Sequence, residues 1–189
     1  MPEAIDLLKT RRSVKAMELT GPGPSTSEID TMVTIASRVP DHGKLTPWRF
    51  IVFEGDARFA AGEKIAAAFT AKYPDATQDQ VDKERGRLAR APLVIAVVSR
   101  AAEHKKIPEW EQILSAGAAA MSLVLAAHAL GYAANWITEW YAYDRHVLDS
   151  LGVAPQERLA GFIHIGHSKG AAEDRDRPPL REIVTRYAG

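Results

Sequence analysis

The sequence predicts an α+β layered fold. Strand-like runs are few, they lie far apart, and helical blocks of unequal length separate them. One of those blocks is long, apolar and free of formal charge, which calls for burial at the centre of the fold or against a partner. The 189 residues suit one domain spanning 1–189 better than two.

The elements follow in order. Pro2 can open a helix to about Lys9, with Ile5, Leu7 and Leu8 on its apolar face. It ends at RRSVK, and Thr20 to Ser25 (TGPGPS) reads as a loop. Ser25 and Glu28 have the spacing of a capping box. The helix after them carries Ile29, Met32, Val33 and Ala36 on one face and stops before Pro40. Trp48 to Gly55 (WRFIVFEG) is rich in β-branched and aromatic residues and predicts a strand. Two helices are expected over Ala57 to Lys72 and Gln78 to Ala89. The continuous apolar run Pro92 to Arg100 (PLVIAVVSR) predicts a central strand.

Pro108 opens the longest helix, to about Leu130. From Ile113 to Leu130 it carries no formal charge; a membrane span needs about 20 strongly apolar residues, and this run is dominated by alanine with two serines and a histidine. A buried soluble helix fits better. Residues Ala116 to Ala120 are all alanine or glycine and leave room for close backbone approach. A short strand (YAANWIT), a helix from Asp144 to Leu151 and a last strand from Arg158 to Gly166 complete the core. The tail is polar, then proline-rich, then apolar-periodic.

Composition removes several functions. Lys plus Arg and Asp plus Glu both number 24, so no basic excess points to nucleic acid or anionic membrane. There is no cysteine, which excludes thiolate nucleophiles, Fe–S ligation and disulfides. Glu3 and Asp6 interrupt the apolar run a signal peptide would need, so a soluble cytoplasmic protein is expected. Walker A, GxGxxG and GxSxG motifs are absent. His164 to His167 spells HIGH, a nucleotide-binding signature of class I aminoacyl-tRNA synthetases, but it sits in a strand without the accompanying domain. His164 and His167 lack a carboxylate at metal-ligand spacing, so no metal is expected.

Four pieces carry chemistry. RRSVK (Arg11 to Lys15) offers two guanidiniums, a hydroxyl and an ammonium; these suit a phosphate, or equally the cationic end of a helix. RVPDHGKLTPW (Arg38 to Trp48) presents His42 and Lys44 beside Pro47 and Trp48 from a corner that prolines stiffen. That corner suits a flat, hydrogen-bonding heteroaromatic ligand, or a solvated His42 with Trp48 capping the core. Trp136 to Thr138 places an aromatic beside a hydroxyl, and Arg175 and Arg177 add cations in the tail.

In this order the pieces resemble the FMN-dependent nitroreductase family over almost the whole chain. RRSVK looks like its RRSxR phosphate motif, the Pro-Trp loop like its Pro-Trp-x-Phe segment, and RDRPPLREIV like its basic tail. The Pro-Asp-His loop and short chain point to the small, YdjA-like branch. Asp41, His42 and Lys44 stand where the commoner loop has Ser-Ser and Asn, Thr46 replaces Gln, and Lys15 replaces Arg; these departures bear on substrate more than on cofactor.

The resemblance implies a three-layer fold, with a mainly antiparallel sheet flanked by helices and the long helix at a homodimer interface. It implies FMN at that interface, and NAD(P)H reduction of a nitroaromatic, quinone or enone acceptor. By resemblance, Arg11, Arg12 and Ser13 hold the phosphate and ribityl chain, with Arg175 and Arg177 adding charge. Arg38 and His42 contact the flavin from the partner subunit, and Trp136, Ile137 and Thr138 line the ring. Ala126, Ala127, His128, Ala129, Leu130 and Gly131 match a stretch assigned to NAD(P), although a helix C-terminus has the wrong polarity for a pyrophosphate.

Overall fold

Five strands form one antiparallel sheet in the computed structural model, which describes residues 3–170 and 172–189. Pro2, expected to open the first helix, lies outside the described residues; α1 runs Ala4–Thr10. The strands are β1 (Leu19–Thr20), β2 (Trp48–Glu54), β3 (Leu93–Ser99), β4 (Ala133–Ile137) and β5 (Arg158–Ser168). β3 and β4 both pair with β5, β2 pairs with β3, and β1 pairs with the last two residues of β5.

The alternation of side chains along β3 builds two cores from one strand. Leu93, Ile95 and Val97 pack with α2 (Thr26–Ala36) and α5 (Glu109–Ala129), through residues such as Met32, Ala119 and Leu123. Val94, Ala96 and Val98 face the opposite way, toward Ile65 of α3 (Ala57–Lys72) and Val147 of α6 (Arg145–Ser150). A strand apolar on both faces therefore makes three layers, as its unbroken apolar run predicts. α5 is long and apolar enough to cross a membrane, but half of its most apolar window is buried within this fold.

Most expected elements are present, and the Ser25–Glu28 capping box is formed in both directions. Three details differ. β1 overlaps, at Thr20, the segment read as a loop. β5 continues to Ser168, past the expected stop at Gly166. The helix expected over Gln78 to Ala89 ends at Arg85, giving α4 (Gln78–Arg85) and a 3-10 turn, Arg87–Arg90. The break has a tertiary cause. Arg87 Nε donates to Glu84 at 2.8 Å and its Nη1 to Glu139 at 2.9 Å, while Leu88 turns fully into the core. The last helix, α7 (Leu180–Ile183), is a single exposed turn.

Candidate functional site

The proline loop is held by four hydrogen bonds, two to α5 and two within the loop. Ser115 Oγ of α5 donates to the Pro40 carbonyl at 2.6 Å and accepts from Trp48 Nε1 at 3.1 Å. The Asp41 carboxylate accepts from the backbone N–H groups of Leu45 and Thr46, both at 2.9 Å. Gly43 takes φ 70°, which glycine adopts without strain, and Lys44 follows at φ 56°. The result is a 3-10 turn, His42–Lys44, that exposes the His42 ring. His42 Nδ1 lies 2.7 Å from Glu111 Oε2, beside a cleft of about 330 Å³ lined by Pro40, Leu114 and Ala118. Arg38 is exposed at the start of this loop.

The second group of residues gathers where α1 ends. The Arg11 N–H donates to Leu7 O, so Arg11 does finish a helix. It also stands among other cations: burial, then the charges of Arg12, Arg177 and Arg175, lower its pKa from the usual arginine range. Arg12 holds the tail in place, donating to Glu173 O at 2.9 Å and lying 3.6 Å from Asp174. Asp174 also meets Arg177 at 3.6 Å, and Arg177 donates to Arg175 O at 2.8 Å. Arg11 and Arg12 line a cleft of about 410 Å³ with His128, Tyr132 and His167. Tyr132 and His167 pack ring against ring at 4.7 Å. Ser13 is exposed beside the cleft.

Trp136, Ile137 and Thr138 follow along and just beyond β4. Trp136 lies over Gly161, where a Cβ would run into the indole, and Nε1 donates to Ala160 O at 2.9 Å. Its ring position is thereby fixed while about a third of it stays exposed (37%).

The stretch 126–131 does not present six residues to a ligand. Ala126 and Ala127 belong to the core and are 1% and 0% exposed, because the helix turns them toward the sheet. His128 and Gly131 reach the arginine-lined cleft instead. Burial, and secondarily the Arg11 charge, lowers the His128 pKa, and its Nε2 has no hydrogen-bond partner among the described residues.

The two groups do not meet within one chain. Glu111 and His128 are about 25 Å apart along α5 at ~1.5 Å per residue, longer than an extended flavin mononucleotide. Between them α5 carries an outward stripe of Trp110, Ile113, Leu114, Gly117, Ala118 and Met121 that the fold leaves exposed or half-buried. A larger cleft of about 680 Å³, near Phe69, Tyr73 and Trp140, contains none of the residues singled out from the sequence.

Glu111 and Ser115 escaped the sequence reading. They are 69 and 75 residues from their loop partners, and one acid and one serine in a helix give no signal of that contact.

Comparison with known proteins is consistent across sequence and shape. The model of the nitroreductase family matches residues 8–167. An Escherichia coli (strain K12) protein named "Putative NAD(P)H nitroreductase YdjA" is 34% identical over 166 residues, covering 87% of each chain. A nitroreductase-like family protein from Bacillus cereus superposes with a TM-score of 0.83 at 20% identity, over 100% of this chain and 98% of the other. A mutant of the FMN and NADPH-dependent nitroreductase NfnB from Sphigopyxis sp. strain HMH gives 0.76 at 20% identity, over 100% of both chains.

Proposed function

This chain belongs to the nitroreductase family, and on that premise we propose that it is an FMN-dependent NAD(P)H oxidoreductase working as a homodimer. Bound FMN would supply the hydride chemistry at N5, taking from NAD(P)H and giving to a nitroaromatic, quinone or enone in ping-pong turnover.

The observation that carries this reading is the convergence of cations around Arg11. Burial and the charges of Arg12, Arg177 and Arg175 all disfavour its guanidinium. A phosphate at this place would relieve that repulsion and accept charge-assisted bonds. The adjoining cleft, about 410 Å³, falls within the usual size of a small-ligand site. In this reading Arg11 and Arg12 bind the phosphate, Ser13 adds a hydroxyl, and Arg175 and Arg177 complete the charge. Trp136, Ile137 and Thr138 form a wall for the ring system, with the indole held by its bond to Ala160 O.

Arg38 and His42 would serve the same ligand from the partner subunit. Their distance from Arg11 in one chain supports this arrangement, and so does the uncovered apolar stripe on α5. Two copies packed antiparallel through that stripe would bring the His42 end of one near the Arg11 end of the other. The closed two-chain site would exclude water and admit donor and acceptor in turn. His128 and Gly131 are the members of the stretch 126–131 able to face a bound dinucleotide.

The test is the absorption spectrum of the purified protein, before and after NADPH is added without oxygen. A flavin spectrum that bleaches with NADPH, and returns when a quinone or nitroaromatic is added, is the expected result. A protein that binds FMN without bleaching would be a flavin-binding dimer rather than a reductase. One that takes up no FMN would overturn the proposal.

A further inference from the structure

We infer that Glu111 is a positioning residue that fixes the tautomer of His42 and so decides which hydrogen bond His42 offers a flavin; this rests on the flavin reading above. Glu111 Oε2 and His42 Nδ1 are 2.7 Å apart. An ionised carboxylate can only accept, so Nδ1 must carry the hydrogen. The neutral ring then has its lone pair at Nε2, and Nε2 is the nitrogen left for a ligand.

That choice has a chemical consequence. A lone pair accepts from an N–H, whereas the opposite tautomer would donate to a carbonyl oxygen. The pyrimidine edge of an isoalloxazine offers one ring N–H between two carbonyls, so an Nε2 acceptor matches the N–H. Glu111 therefore selects the acceptor form before any ligand arrives.

A purely structural role for Glu111, fastening the loop to α5, is already filled. Ser115 ties Pro40 and Trp48 to the same helix, and Asp41 closes the loop on itself. The Glu111 and His42 side chains are also well exposed, 46% and 63%, and pairs so placed contribute little to stability.

The experiment compares wild type, Glu111→Ala, Glu111→Gln, His42→Ala and the Glu111→Ala/His42→Ala double variant. FMN affinity, the bound-flavin absorption spectrum and the flavin-free unfolding midpoint are measured for each. Nitrogen NMR of the His42 ring is recorded on flavin-free wild type and Glu111→Ala. The wild-type ring should be the Nδ1–H tautomer, and Glu111→Ala should be a mixture. Glu111→Ala should weaken FMN binding about 3- to 10-fold and shift the spectrum, with the unfolding midpoint unchanged. Glu111→Gln can accept from Nδ1 or donate to it, so it no longer selects one tautomer and should fall between wild type and Glu111→Ala. The double variant should bind no more weakly than His42→Ala, since Glu111 acts through that ring.

Additive losses in the double variant would overturn the inference. So would a wild-type tautomer mixture, or unchanged binding by Glu111→Ala when His42→Ala binds weakly; in these cases the flavin reading survives. If wild type takes up no FMN, the flavin reading fails and this inference fails with it.

Discussion

The Ser115 hydroxyl donates to the Pro40 carbonyl at 2.6 Å and so locks the loop carrying His42 onto the first half of α5. The same oxygen accepts from Trp48 Nε1, so one small side chain satisfies a backbone acceptor and a buried indole donor. Replacing it by alanine removes two bonds and leaves two polar groups with nothing to meet.

Ser115→Ala should therefore destabilise the protein by about 1–3 kcal/mol, the usual cost of orphaning a buried polar partner. Denaturant unfolding of variant and wild type measures this directly. A change below about 0.5 kcal/mol would mean that water or a shifted loop replaces the serine.

Such contacts mark the limit of what the sequence could tell. The helix Thr26–Ala36 and its capping box were legible because their signals are local: Ile29, Met32, Val33 and Ala36 at helical spacing, and Ser25 and Glu28 three residues apart. The two-residue strand β1 was not, since Leu19–Thr20 is too short for any alternation to show. The break after Arg85 depends on Glu139, distant in sequence. At the site, RRS and the loop stood out by residue type, and the place of Arg175 and Arg177 beside Arg11 followed from the family resemblance rather than from spacing. The pairing of His42 with Glu111 is a product of the fold that neither signal reaches.

The buried His164 should make stability depend on pH. It lies on β5 with no exposed surface, and its Nε2 meets Arg87 O at 3.2 Å. Desolvation lowers its pKa from the ordinary 6.5. The unfolded chain takes up a proton near that value, and the folded chain only at lower pH. Stability is therefore full above about pH 6.5 and falls on acidification, by up to about 1.4 kcal/mol per pH unit for each such histidine. His128, also lowered, adds to the same slope. Between about pH 6.5 and 4.5, above the carboxylate range, His164→Gln should flatten the dependence. An NMR titration showing His164 protonating near pH 6.5 in the folded protein would contradict this account.

Gly117 tests the dimer without disturbing the single chain. A Cβ there meets nothing within 4 Å, so a side chain has room in the isolated fold. Glycine in a helix interior also costs roughly 0.5–1 kcal/mol relative to alanine, so replacing it has no local penalty. Against a partner helix the same side chain would block close approach, and a charge would be buried in an apolar stripe. Gly117→Glu should stay folded by circular dichroism yet sediment as a monomer at micromolar concentration, and lose FMN. A dimeric Gly117→Glu that retains FMN would place the interface elsewhere.

The phosphate clamp is tested by a ligand that lacks the phosphate. FMN and riboflavin share the ring and the ribityl chain, and only FMN carries the dianion. Arg11 is half-buried, and burial and the charges of Arg12, Arg177 and Arg175 all disfavour its guanidinium until an anion arrives. A hydrogen bond to a charged group contributes about 1.5–3 kcal/mol, so Arg11→Ala should weaken FMN binding by roughly 10- to 150-fold. Riboflavin affinity should change little, and the variant should lose most of the preference for FMN. Arg12 is a less direct probe, because Arg12→Ala would also release the tail from Glu173 and Asp174. High salt should narrow the wild-type preference to the extent that the arginines remain exposed to solvent. If the cations merely finish α1, Arg11→Ala would lower stability and weaken both flavins alike. Equal wild-type affinity for FMN and riboflavin, measured by quenching of flavin fluorescence, would remove the clamp and the role of Arg11 in it.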